Sequence, residues 1–211
     1  WVATANAALM LGAKVLVVDS RFDPDCMLMD EDLIRDIVTP LTKVIVPVSL
    51  NGRAVRMDKV EAAAEECGAV VVEDACQALF SSHNGRFIGT SSRFACFSLG
   101  MTKLITTGAG GFIACQDEAD AETLRAIRYQ GMPGQAMDNV WSRIGGGFKY
   151  TDIQAAIGLA QLERVDDRRE HMRALHRLYA DGLAGVPYMR QARFPTRRSR
   201  CARNRMPSGW P

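Results

Sequence analysis

Three histidines, no Cys-x-x-Cys pair and no His/Cys cluster leave this 211-residue sequence without the ligand spacing of a zinc site. The six cysteines (Cys26, Cys67, Cys76, Cys96, Cys115 and Cys201) form no close pairs, and several sit in or beside apolar runs. That usage reads as reduced, structural thiols in a cytoplasmic protein. No stretch is long and apolar enough to span a membrane. The first residues carry no basic region followed by a cleavage site, so no secretory leader is expected. Acidic residues are missing from one place: residues 190–211 hold seven arginines and no Asp or Glu. Without that segment the chain has 19 basic against its 24 acidic side chains, a net of −5 that the formal +2 conceals. The body is therefore mildly acidic and offers no basic face for nucleic acid. The segment 190–211 also lacks periodicity, which suits a disordered or frameshifted tail.

What is present is an alternation of helical and strand-like runs. Val2–Leu11 reads as a helix closed by Gly12, and Val15–Asp19 as a buried strand. Asp30 starts a short helix with Leu33, Ile34, Ile37 and Val38 on one face, stopped by Pro40. A strand over Lys43–Val48 follows. Asp58 and Glu61 suggest a capping box, and Val60, Ala63, Ala64 and Cys67 mark one face of the helix that Gly68 ends. Val70–Asp74 then reads as a central parallel strand. This order implies βαβ units and an α/β fold, a mostly parallel sheet flanked by helices. Residues 81–89 read as a hairpin, 94–98 and 111–115 as strands, and 118–130 as an amphipathic helix. Residues 132–147 are loop-like, and a long helix is expected from Thr151 to about Leu183.

Two stretches carry chemistry. The run Phe97-Ser98-Leu99-Gly100-Met101-Thr102-Lys103 leaves a buried strand and ends on a lysine in a loop of small, flexible residues. A partly buried lysine shifts its pKa readily and suits Schiff-base chemistry, but it could equally grip a ligand phosphate or simply face solvent. Gly108, Gly110 and Gly111 allow close backbone approach to a ligand, although the spacing is not that of a Walker A loop. Upstream, Asp74 sits at the carboxyl edge of the central strand, where ligands bind in open α/β sheets. It could pair with a protonated pyridine nitrogen or merely cap a helix.

Taken together, Glu73-Asp74-Ala75-Cys76-Gln77, Ser98 to Lys103, Thr107-Gly108-Ala109-Gly110-Gly111 and Thr151-Asp152-Ile153-Gln154 to Leu162 resemble the DegT/DnrJ/EryC1/StrS family of sugar aminotransferases. The resemblance covers residues 1–189. It implies the large domain of the aspartate-aminotransferase (fold type I) fold, with an N-terminal segment and a small domain expected to be absent. It implies pyridoxal phosphate (PLP) as cofactor. Lys103 would carry it as a Schiff base, Asp74 would bind its ring nitrogen, Gln77 its ring hydroxyl and Ser98 its phosphate, and Trp1 would stack on the ring. The implied substrates are L-glutamate and a nucleotide-linked keto sugar, with 4-keto-6-deoxyhexose as the expected class. The implied assembly is a homodimer with a shared active site. Two positions depart from the family pattern: Gly147 lies near the place of an asparagine that crosses the dimer interface, and Ala109 replaces a usual acid. An inactive family member that at most binds PLP or a partner is the alternative, and a nucleotide-binding α/β protein is a third reading.

Overall fold

The computed structural model describes residues 1–21, 27–133 and 141–187. The Arg-rich tail, Cys26, Cys201 and residues 134–140 of the expected loop lie outside the described residues. The elements are α1 (Val2–Met10), a 3-10 turn (Glu31–Leu33) running into α2 (Ile34–Ile37), β1 (Val44–Ile45), α3 (Met57–Cys67) and β2 (Val70–Asp74). A hairpin of β3 (Ser82–His83) and β4 (Arg86–Phe87) follows, then β5 (Phe94–Ser98), β6 (Gly111–Cys115), α4 (Glu118–Arg128), α5 (Asp152–Leu162) and α6 (Val165–Gly182).

The sheet runs β1-β2-β5-β6. β1, β2 and β5 are parallel, with Ile45 beside Val71 and Asp74 beside Cys96. β6 returns antiparallel to β5, pairing Ser98 with Gly111. β2 is thus central, as its unbroken valines imply. Burial alternates along it: Val71 and Glu73 are buried, while Val70, Val72 and Asp74 are half-buried. The face carrying Val71 meets α3. Val60, Ala63 and Ala64 of α3 join Ile34, Ile45, Val55 and Val71 in the main core. Gly68 ends α3 at φ 70°, a left-handed conformation that glycine adopts without a Cβ clash. A second cluster, Ala75, Ala95 and Phe97, is packed by Leu79, Ile88 and Ala114.

Three local expectations are corrected. Residues 15–19 form no strand: Val17 is exposed and the described sheet ends at β1, so the apolar run has no strand to pair with. The Asp58/Glu61 capping box does not form. The N-cap is Arg56, whose backbone N–H donates to the buried carboxylate of Glu31 at 2.9 Å. A carboxylate distant in sequence thereby takes over the capping role. The helix from Thr151 is two helices, broken at Glu163–Arg164, where Arg164 N–H turns back to Gln161 O. On α5 itself the apolar side faces outward. Ile153 and Ile157 are exposed, and the inward side carries Gln154, Ala155, Gly158 and Gln161.

Charge reinforces the first half. Glu31 is buried and meets Arg21 and both Nε and Nη2 of Arg56. Burial pushes its carboxyl above the usual range, against the pull of its backbone bond and Arg21. Among the described residues no helix is long and apolar enough to cross a membrane.

Candidate active site

β2 and β5 end side by side, and their carboxyl ends deliver the chemistry-bearing residues. Asp74 is the last residue of β2. Its backbone is clamped from the β1 side: its N–H donates to Pro47 O at 2.9 Å and its carbonyl accepts from Ser49 N–H at 3.0 Å. Its carboxylate is held at both oxygens. Oδ1 accepts from Cys76 N–H at 3.1 Å, and Oδ2 accepts from Thr4 Oγ1 at 2.6 Å. A carboxylate oxygen has two lone pairs, so each keeps one for a further donor.

Lys103 sits in the loop after β5, turned by a bond from its N–H to Gly100 O at 3.0 Å. It is half-buried, and among the described residues its ammonium has no hydrogen bond or ion pair. Cys76 links it to Asp74. The Cys76 thiol is pushed up to about 12, first by burial, then by its contact with Asp74 and the charges of Asp74 and Cys96. Lys103 pulls the other way. Cys96, half-buried next to Asp74 across the sheet, is raised by burial and by the same carboxylate. Such raised thiols are poor nucleophiles and carry no chemistry here. A cavity lined by Leu79, Phe80, Leu99, Ile105, Phe112 and other residues contains neither of them.

The other residues singled out in sequence fall as follows. Gln77 is three residues beyond Asp74. Its Oε1 accepts a long bond from Asn51 N–H at 3.4 Å and its carbonyl accepts from Gly52 N–H at 2.8 Å. Ser98 closes β5, and its Oγ accepts from Gly100 N–H at 3.2 Å. Trp1 precedes α1 and is 88% exposed, so its ring is not packed on the site. Gly147 is exposed, with open space where a Cβ would stand.

Three polar residues were not singled out. Thr4 is hidden in the apolar run of α1. Gln161 grips the peptide of Thr106 at both ends: Thr106 N–H donates to Oε1 at 3.0 Å and Nε2 donates to Thr106 O at 2.8 Å. Gln154 Nε2 donates to Ala109 O at 3.0 Å, while Gln154 also completes a capping box with Thr151. These α5 glutamines fasten the segment that follows Lys103. In sequence they stood only within the Thr151–Leu162 run, where their spacing of seven puts both on one helix face.

The donor set fits PLP. A half-buried amine, without a hydrogen bond or ion pair among the described residues, stands in the loop after β5, and a carboxylate held at both oxygens ends the adjacent strand β2. Ser98 and the glycine loop stand beside them, at the strand ends where such ligands bind.

Comparison with known proteins agrees. The model of the DegT/DnrJ/EryC1/StrS aminotransferase family matches residues 1–208. GDP-perosamine synthase from Caulobacter vibrioides is 38% identical over 179 residues, 84% of this chain and 46% of its own. The sugar aminotransferase CalS13 from Micromonospora echinospora superposes with a TM-score of 0.82 at 30% identity, covering 92% of this chain and 55% of that one. The PLP-form of Spr1654 from Streptococcus pneumoniae gives 0.77 at 25% identity, covering 88% of this chain and 52% of that one. The chain thus spans about half the length of these relatives.

Proposed function

Because the chain belongs to the DegT/DnrJ/EryC1/StrS aminotransferase family, we propose that it forms the PLP-binding part of an enzyme that moves an amino group from L-glutamate to a nucleotide-linked keto sugar. The observation that carries this reading is that Asp74 and the loop bearing Lys103 leave the carboxyl ends of adjacent parallel strands. Bound PLP supplies an electron sink for the carbanion left when a proton departs from the donor's Cα.

The chain's own residues do the rest. Lys103 Nζ, without a hydrogen bond or ion pair among the described residues, would hold the cofactor aldehyde and would then carry the proton away from Cα. Asp74 holds a proton at the ring nitrogen. Gln77 would meet the ring hydroxyl and Ser98 Oγ the phosphate, while Trp1, exposed in the structure, would have to turn onto the ring face to stack there. The name of the Caulobacter relative supports a nucleotide-linked sugar as acceptor, and a 4-keto-6-deoxyhexose is the acceptor class we infer. The exposed apolar side chains of α5, including Ile153, Leu159 and Leu162, support a homodimer with a shared active site. The reduced thiols support a cytoplasmic location.

The test is the visible spectrum of the chain with added PLP, beside Lys103→Ala. A yellow band that needs Lys103 and is bleached by L-glutamate is expected. No band in either protein, with native circular dichroism, refutes the cofactor reading. A band in both moves the Schiff base to another lysine and refutes the role of Lys103.

A further inference from the structure

We propose that Thr4 is a positioning residue for Asp74: its hydroxyl aims the aspartate carboxylate at the ring nitrogen of the cofactor and ties Trp1 to the same point. The inference rests on the PLP reading above and adds a residue that reading did not contain.

The geometry is specific. Thr4 Oγ1 donates to Asp74 Oδ2 at 2.6 Å across 70 residues of sequence. That distance is in the range of a hydroxyl bonded to an ionised oxygen. Cys76 N–H holds the other oxygen at 3.1 Å. With one donor on each oxygen, the plane of the carboxylate is set before any ligand arrives. Without Thr4, Oδ2 loses that donor, and the carboxylate, held from Cys76 alone, can turn about its Cα–Cβ and Cβ–Cγ bonds.

The same bond anchors α1. No residue of α1 is buried, and this is the one side-chain hydrogen bond the helix makes among the described residues. Thr4 N–H in turn donates to Trp1 O at 3.3 Å, so the tryptophan stands one helical turn from the anchored hydroxyl. Nothing else in the packing of α1 among the described residues requires a hydroxyl there: valine is isosteric with threonine and would fill the same space. The hydroxyl is needed only for the aspartate.

The test measures affinity rather than turnover. Equilibrium dialysis compares PLP with its 1-deaza analogue, in which a CH replaces the ring nitrogen, for the full chain and for Thr4→Val, Thr4→Ser, Asp74→Asn and Thr4→Val/Asp74→Asn. Circular dichroism checks each fold, and Thr4→Ala serves if Thr4→Val is misfolded. Thr4→Val is expected to weaken PLP about tenfold, the scale of one hydrogen bond to a charged group. Thr4→Ser should restore the affinity. The deaza analogue should bind both proteins alike, and Thr4→Val should change nothing further once Asp74 is asparagine. Unchanged PLP affinity in Thr4→Val overturns the proposal. So does an equal loss for both ligands, or a loss that persists beside Asp74→Asn, because either marks a merely structural contact. These results leave the PLP reading standing. Binding of neither ligand by any of the proteins refutes that reading and this role with it.

Discussion

Replacing Gln161 by leucine removes both hydrogen bonds to the Thr106 peptide while keeping a good helix former in α5. Each bond contributes about 1 kcal/mol net, and a part-buried peptide left unpaired adds a further penalty, so the local loss is about 2–3 kcal/mol. The loss falls on the segment after Lys103, because Gln161 touches the rest of the protein through Thr106 and through an exposed contact with Arg168 worth little. Native-state hydrogen exchange reads it directly. The Thr106 amide should exchange about 30- to 150-fold faster in Gln161→Leu, with much smaller changes along β2. Gln154→Leu is the control: it frees Ala109 O and the Thr151 N–H but leaves the Thr106 amide bonded to Gln161. Unchanged exchange at Thr106 in Gln161→Leu would refute the claim that α5 fastens the lysine segment. An equal acceleration throughout β2 would show that the glutamine stabilises the whole fold rather than the loop.

Three other perturbations test the packing around the site. Cys76 has an ordinary thiol value of 9.0 that the fold raises to about 12. Above pH 9 the unfolded chain loses this proton and the folded chain keeps it, so stability should fall by up to about 1.4 kcal/mol per pH unit until pH 12. Urea melts of the unmodified chain and Cys76→Ala between pH 8.5 and 11 should diverge by that slope, and parallel curves would contradict the burial of the thiol. Glu31→Ala leaves Arg21 and Arg56 without their shared carboxylate and the Arg56 N–H without its acceptor, which should cost about 3 kcal/mol in a chemical melt; a loss under about 1 kcal/mol would mean water replaces the carboxylate. In Gly89→Ala the new methyl would stand 2.5 Å from Phe97 Cζ at a backbone φ of 85°. Overpacking and left-handed strain together should cost about 3 kcal/mol, against about 1 kcal/mol for Gly85→Ala, where φ is 80° but the space is open; equal melts for the two variants would refute the steric argument.

The parts of the fold that could be read from sequence are those whose burial is decided locally. Val70–Asp74 shows an unbroken valine run because both faces of a central parallel strand are covered. The Val60–Ala64 face of α3 and Gly68 follow from helical period and the left-handed turn. Val15–Asp19 has the same composition as a buried strand, yet strand formation also needs a neighbour, and composition does not say whether one exists. The cap of α3 failed for a similar reason. Asp58 and Glu61 have the right spacing, but Glu31 reaches the Arg56 N–H from 25 residues away. Long-range carboxylates leave no trace in local spacing.

The same distinction divides the site. Asp74 and Lys103 stand out because an acid at the end of a buried strand and a lysine after another are locally costly and so demand a reason. Thr4 demands none. A threonine in an apolar helix reads as an ordinary half-polar residue that can bond its own backbone, and its partner lies 70 residues on. Gln161 and Gln154 are equally ordinary on a helix face. What these three share is that each makes its bond across the gap between α1 or α5 and the strand ends, so each becomes visible only when the helices are placed. The groups that would touch the cofactor were therefore legible one by one, whereas the groups that aim them are a property of how α1 and α5 meet the sheet. That is why Thr4→Val is the sharper probe of the geometry. Asp74→Asn would remove a group whose importance the sequence already advertises, but Thr4→Val leaves every such group in place and disturbs only its aim.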